Sequence, residues 1–458
     1  MIEHVLRAAR RLDIEHFDLR TSTVWGNSLE FKETNLEKAY GGSESGASIR
    51  VLYKGTWGFY ATNETTPAGL KRCLDRAFKL AKGISAHAKE KAGVATVKGR
   101  AGKGKIPQKV ELTGVDITKK KELALDVAKA ILSVKGIPSC KTNYTDGIAT
   151  NQIYDIDGNL KEGTVPRAMV SSQITARDGA NVVSFRTRVG ATGGFEIFTN
   201  EDPVEKAVTG AKSTLRLLKA GKAPSGRLPL VADPSLAGVF AHEAVGHACE
   251  SDLVLMDESV LKGKIGKKIA SDIVTIIDDS TVPGGFGSFV YDDEGVPAQK
   301  RVLIERGILR TYMMTRETAH KLKKSPNGSG RAESVGSKPM VRMSNTLIEP
   351  GDREYDEMFE GIKLGIFALG TRGGQVDTTK GAYQFNAQEA FLIEKGEVTK
   401  PLKDVSISGS ILETMNKIDA LGKVRMLGEP GFCGKGQTVP VGDGGPYVRV
   451  KEIVMGGG

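Results

Sequence analysis

Cysteine is scarce in this chain, four residues in 458, and that excludes a small module held together by disulfides. Cys73, Cys140, Cys249 and Cys433 stand too far apart for a framework of bridges, so each is a free thiol, a buried hydrophobe or a metal ligand. Long apolar runs are missing too. No stretch approaches the roughly 18 residues that would span a bilayer, and the opening MIEHVLRAARRLDIEH carries charge throughout instead of an apolar signal core. These features predict a soluble, unsecreted protein with no membrane contact, and free thiols suit a reducing cytoplasm. Aromatic residues reach only 6%, but 39% hydrophobic and 26% charged residues are the balance of an ordinary globular protein, which excludes global disorder.

Sixty-five Lys and Arg against 55 Asp and Glu leave a formal charge of +10, which raises the question of a nucleic-acid partner. The excess is spread out. Its one dense block, Lys89 to Lys109, is rich in Gly and Ala and has no aromatic on which a base could stack, so it reads as a solvated connector and nucleic acid is disfavoured.

At about 150 residues per domain, the length predicts two or three domains. Ile2, Val5, Leu6, Ala9 and Leu12 recur at helical spacing. Short alternating runs from Phe17 to Asn63 then predict a β-meander, and Pro67 opens a second helix. Helix, strands with Asp-Gly turns, and helix return between Thr118 and Leu218. The polar segment KAGKAPSGR, ending at Arg227, marks a boundary. Beyond it, short strand-like runs alternate with glycine-rich turns around one conspicuous helix. The reading is therefore α+β: an N-terminal helix and antiparallel-sheet domain over 1–222, with possible modules 1–82 and 113–222, then a β-rich metal-binding domain over 223–458 with one ligand-bearing helix.

That helix opens at Asp233-Pro234, an N-cap followed by proline at the first helical position. It carries His242-Glu243-x-x-x-His247, two of only six histidines. Imidazoles are preferred zinc ligands and a neighbouring Glu is a suitable general base, so the residue types point to metal-assisted hydrolysis. The spacing is unusual. Positions five apart are splayed by about 140° on a regular helix, so one metal can take both only if a π-bulge or a break at Gly246 repairs the geometry. The third ligand stays open among Cys249, Glu250, Asp252, the acidic cluster Asp292, Asp293 and Glu294, and Cys433 in the glycine-rich loop GEPGFCGKGQTVP. Gly428 and Gly434-Lys435 resemble a phosphate loop, but the glycines are six apart and Gly436 takes the Ser/Thr position. Ser329, Arg331 and Asn345 are open candidates for substrate contact.

The HEAVGH core, together with FGSFVYDDEGVPAQK, PMVRMSNTLIEPGD, GGQVDTTKGAYQFNAQEAFLIEKGE, PLKDVSISGS and GFCGKGQTVPVG in this order, resembles the TldD-type zinc metallopeptidases, also called modulators of DNA gyrase. The pattern extends over nearly the whole chain and is most specific over 228–445. The resemblance implies that His242, His247 and Cys433 bind zinc, one ion per catalytic subunit, while Glu243 polarises the water and shuttles its proton. It also implies a homodimer, or a heterodimer with a PmbA-type non-catalytic paralogue, enclosing a cavity that admits unfolded peptides. Such paralogues typically lack the metal motif, so its presence places this chain on the catalytic side. The rival expectation is a basic regulatory protein associated with DNA or gyrase, with a structural metal closed by a fourth ligand, for which Cys249 is the one nearby choice.

Overall fold

The computed structural model describes residues 2–97 and 101–457. Helix α1 (Ile2–Ala9) precedes three antiparallel strands, β1 (His16–Lys32), β2 (Asn35–Tyr53) and β3 (Thr56–Thr62), and helix α2 (Pro67–Ser85). Thr66 caps α2 by accepting the Gly69 N–H, with Pro67 directly after it, so the turn that starts the helix is written locally. After β4 (Gly102–Lys105) the order returns: α3 (Ile117–Ser133), β5 (Ser139–Asp155), β6 (Leu160–Asp178), β7 (Asn181–Thr192), a single turn α4 (Ile197–Asn200), and α5 (Pro203–Leu218).

Strand β1 pairs with β5 from Asp18 opposite Asp155 to Lys32 opposite Lys141. The two meanders thus form one seven-stranded sheet in the order β3-β2-β1-β5-β6-β4, with β7 also on β6. Its apolar contacts fall into two clusters. One, including Leu19, Ile49, Leu70 and Leu74, lies under α1 and α2; the other, including Phe31, Val127, Ile174 and Ala207, lies under α3 and α5.

The basic segment 89–109 departs from the expected solvated connector, although its Lys98, Gly99 and Arg100 lie outside the described residues. Gly102 to Lys105 pair in parallel with Lys161 to Thr164 of β6. Strand β7 covers β6 only from Arg167 onward, so backbone donors and acceptors before it need partners, and the connector supplies them. Ala92 and Ala95 donate backbone hydrogen bonds to Gly55 and Arg316.

A buried ion pair ties α3 to this sheet. Lys120, 1% exposed, reaches Asp146 at 2.6 Å and the Leu112 carbonyl at 2.7 Å, while its ammonium stands 4.9 Å from the Trp25 ring. Asp146 also accepts from Tyr144 and Asn27. Lys120→Met keeps most of the stem but leaves a buried carboxylate without its cation, so it should lower stability by about 3–5 kcal/mol. A comparison of urea-unfolding midpoints checks this, and an unchanged midpoint refutes it.

Beyond β8 (Gly221–Lys222) and β9 (Gly226–Ala232), an eight-stranded sheet brings β9 beside Leu364–Asp377 and Val448–Gly457. A second, seven-stranded sheet contains Ile276–Asp279, Asn345–Ile348 and Thr438–Gly445. The protein is α+β with a β-rich majority. Three short helices (Ser251–Leu255, Arg316–Lys321, Ile411–Lys417) accompany the expected one. The run GSFVYDD also differs from its strand-like pattern: it is loop, because the Asp292 carboxylate gathers the N–H groups of Glu294, Val296 and Gly330 and folds the chain back on itself.

Helix α6 (Pro234–Phe240) packs against strands of both second-half sheets. The Asp233 carboxylate accepts the Leu236 N–H, and a side chain at Gly238 would collide with the backbone of Gly444, so only glycine permits this approach. Among the described residues, no helix is long and apolar enough to cross a membrane.

Candidate functional site

The helical path continues from α6 into a π turn over Ala241–Gly246 and a 3-10 turn over His247–Cys249. The His247 N–H donates to the His242 carbonyl, an i to i+5 bond, so the widened turn carries the sixth residue back over the first. The two imidazoles that a regular helix would splay stand 5.3 Å apart between ring centroids, at 88° to one another. Gly246 leaves room here for the Met343 side chain. A Cβ on it would crowd the Met343 sulfur, so a larger residue requires that side chain to shift.

Cys433 arrives from a hairpin, Gly431–Gly434 paired with Thr438–Gly445. Its sulfur lies 3.3 Å from His247 Nε2, and ligand atoms of His242, His247 and Cys433 all fall within 4.8 Å of one another. Bonds of about 2.0–2.3 Å in a tetrahedral zinc site put donor atoms about 3.3–3.8 Å apart, so the trio needs little adjustment. The His242 Nδ1 atom is buried without a hydrogen-bond partner, and two nitrogens with one sulfur suit zinc, so the residues present fit such an ion.

Burial alone would raise the Cys433 thiol, but the imidazoles of His242 and His247 bring it down to about 4, leaving a thiolate ready to bind metal. For His247, burial opposes protonation, yet Glu250 and Cys433 raise its pKa well above the usual value. Glu243 sits beside the trio, partly exposed, with Oε2 3.8 Å from His247 Nε2.

The remaining sequence candidates go elsewhere. Cys249 is fully buried in the apolar core, where burial and then the charges of Glu250 and Asp278 push its thiol up. Asp293 pairs with Arg20 and Glu294 with Arg50, so that cluster fastens a second-half loop to the first sheet. Lys435 reaches Asp252 at 2.9 Å and Glu250 at 3.2 Å, which occupies the supposed phosphate-loop lysine. Asn345 is spent on Asp279, Ser288 and Gly287, Arg331 donates to the Met343 carbonyl, and Ser329 is fully buried.

Glu250 has a different place from the ligand role considered for it. Fully buried, it meets His247 Nδ1 at 2.8 Å and so commits the other ring nitrogen toward Cys433. The three-residue spacing after His247 was the available signal. Arg342 gave none. It is buried completely, donates to the carbonyls of Cys433 and Gln437, and stands 3.8 Å from Glu250, linking the hairpin to the helix. Glu250→Gln keeps the shape but weakens the hold on His247, so zinc affinity should fall by about 10–100-fold with the fold retained. Competition against a chelator reads this directly, and equal affinities would reject the orienting role.

Family profiles described as PmbA/TldA metallopeptidase domain 1, central domain and C-terminal domain match residues 17–81, 111–218 and 225–457. The chain is 43% identical to a metalloprotease of Methanothermobacter thermautotrophicus over 97% of this chain and 96% of that one. It is 30% identical to the zinc metalloprotease TldD homolog of Saccharolobus solfataricus, over 99% of each. The crystal structure of TldE from Thermococcus kodakarensis superposes with a TM-score of 0.82 at 19% identity over 100% of both chains, a likeness of fold.

Proposed function

The chain belongs to the PmbA/TldD metallopeptidase family, and from that premise we propose that it is a zinc-dependent peptidase acting on unfolded or flexible polypeptides. The observation that carries this reading is the convergence of His242, His247 and Cys433 within 4.8 Å, with Glu243 beside them. His242, His247 and Cys433 would hold one zinc ion. When bound, zinc supplies a Lewis acid that polarises the scissile carbonyl and lowers the pKa of water to about 7. Glu243 takes the proton from the attacking water and returns it to the leaving amine. No acyl-enzyme is needed, since Cys433 serves as a ligand and not as a nucleophile.

An open catalytic site fits better than a closed structural one, because Cys249, the fourth ligand the rival required, faces the apolar core. The cavity around the trio, about 370 Å³, is also lined by Thr371, Gly373 and Gly374. Their strand pairs with β9 only as far as Ala368; beyond it that edge has no strand partner among the described residues, the Gly370 N–H going to Asp233 and the Thr371 carbonyl to Arg186, so an extended peptide can add through its backbone past Thr371. A folded domain cannot present such a backbone without opening. The family resemblance and the TldE-like fold support a homodimer or a heterodimer with a PmbA-type non-catalytic paralogue, and four unpaired cysteines suit the cytoplasm.

The test is metal content of the purified protein, with cleavage of a disordered peptide in the presence and absence of a chelator. Zinc near one per chain and chelator-sensitive cleavage are expected. Zinc without cleavage, even after a PmbA-type partner is supplied, would defeat the proposal.

A further inference from the structure

Two arginines reach this cavity from the other half of the chain: Arg186 and Arg188 of β7. They alternate with residues that face inward. Thr187 lies against Gly210 of α5, and Val189 belongs to the apolar cluster beneath that helix. The period of two therefore turns Arg186 and Arg188 to the opposite face, toward the second half. There Arg188 Nη1 donates to the Pro430 carbonyl at 3.0 Å, in the loop leading to Cys433, and Arg186 Nη2 donates to the Thr371 carbonyl at 3.3 Å.

Backbone carbonyls use only part of what the two guanidiniums offer. Arg186 Nε is buried without a hydrogen-bond partner, and neither arginine has a carboxylate within ion-pairing distance among the described residues. Burial, and then the charge of Arg186, draw the Arg188 pKa down, against the opposing charges of Glu429 and Asp443, which line the same cavity without pairing directly with it. Glu429 lines the same cavity, where burial raises its pKa against the pull of Lys206 and both arginines, but its carboxylate stands beyond ion-pairing distance of either guanidinium. Arginine's planar fork matches a carboxylate through two parallel hydrogen bonds, and partial burial strengthens such contacts.

We propose that Arg186 and Arg188 form a carboxylate-binding subsite in the cavity that holds His242, Glu243 and Cys433, selecting peptides that carry a carboxylate near the bond to be cut. The inference rests on the peptidase reading for its substrate. The carboxylate comes from a peptide C-terminus or from an Asp or Glu side chain. In the first case cuts fall near the end of the peptide, and in the second they fall beside internal acidic residues.

The test uses one disordered peptide in four forms: C-terminus free or amidated, each with a central Glu or Gln. Dissociation constants are measured on the zinc-loaded Glu243→Gln protein, which should bind without consuming the peptide, and cleavage is followed on the unaltered enzyme. A carboxylate-bearing form should bind about tenfold or more tightly than the neutral form, the worth of a charge-assisted hydrogen bond, and the form that gains identifies the source. Arg186→Gln and Arg188→Gln should each reduce that ratio. Arg188→Lys should restore part of it, because charge returns without the fork. Equal binding of all four forms, or a ratio that survives in both Gln variants, overturns the subsite. If the forms are cut but bound alike, the subsite fails and the peptidase reading stands. If none is cut but the arginine-dependent ratio persists, the peptidase reading fails and the subsite stands.

Discussion

Glu243→Gln should leave zinc content and the fold intact while lowering turnover by about 10²–10⁴-fold, the contribution of a positioned general base. The glutamine amide has the shape and hydrogen-bonding reach of the carboxylate but cannot accept the proton that must leave the water. Glu243 is not one of the three clustered ligand residues, and its partial exposure means that the substitution buries no new unsatisfied group. Metal analysis alongside steady-state cleavage of a disordered peptide separates the two properties. Wild-type turnover would remove Glu243 from the mechanism, and loss of zinc would show that it helps to hold the metal.

Cys433→Ala and Cys249→Ala should diverge sharply, although both residues are buried cysteines near the same helix. Alanine at 433 removes a thiolate whose charge and soft sulfur have no substitute, so zinc affinity should fall well beyond the about 10–100-fold expected for Glu250→Gln. Alanine at 249 deletes one sulfur from an apolar core, which costs about 1 kcal/mol of stability and should leave affinity near wild type. Chelator competition on the two proteins decides between them, with thermal melts to follow the core. The reverse ranking would move the third ligand to Cys249 and reopen the case for a closed, structural metal.

Local features were legible in the chain wherever the cause was itself local. Thr66-Pro67 and Asp233-Pro234 start helices because a capping oxygen and a preset φ act on the next few residues alone. The helix–meander–helix order was readable twice for the same reason, since periodicity reports which face of an element is buried. Hydrogen-bond partners far along the chain were not readable. The basic segment after α2 looks like a solvated linker, yet Gly102–Lys105 complete the β6 edge that β7 leaves bare. The run GSFVYDD has strand-like alternation, yet the Asp292 side chain captures the nearby N–H groups first.

At the site, the sequence determined that two histidines five apart required a widened turn to face one ion, because the pitch of a regular helix is set by its backbone bonds. It also supplied the glycine that lets the helix close on Met343. Which distant side chain stands close enough to complete the proposed group is decided by tertiary structure alone. Cys249 and Cys433 are both compatible with residue type and charge. One is carried into the apolar core by the 3-10 turn, and the other is brought to 3.3 Å from His247 by a hairpin that Arg342 anchors through the carbonyls of Cys433 and Gln437. A metal site is defined by distances of a few ångströms between groups far apart in the chain, and such distances come from packing, which local propensity does not encode.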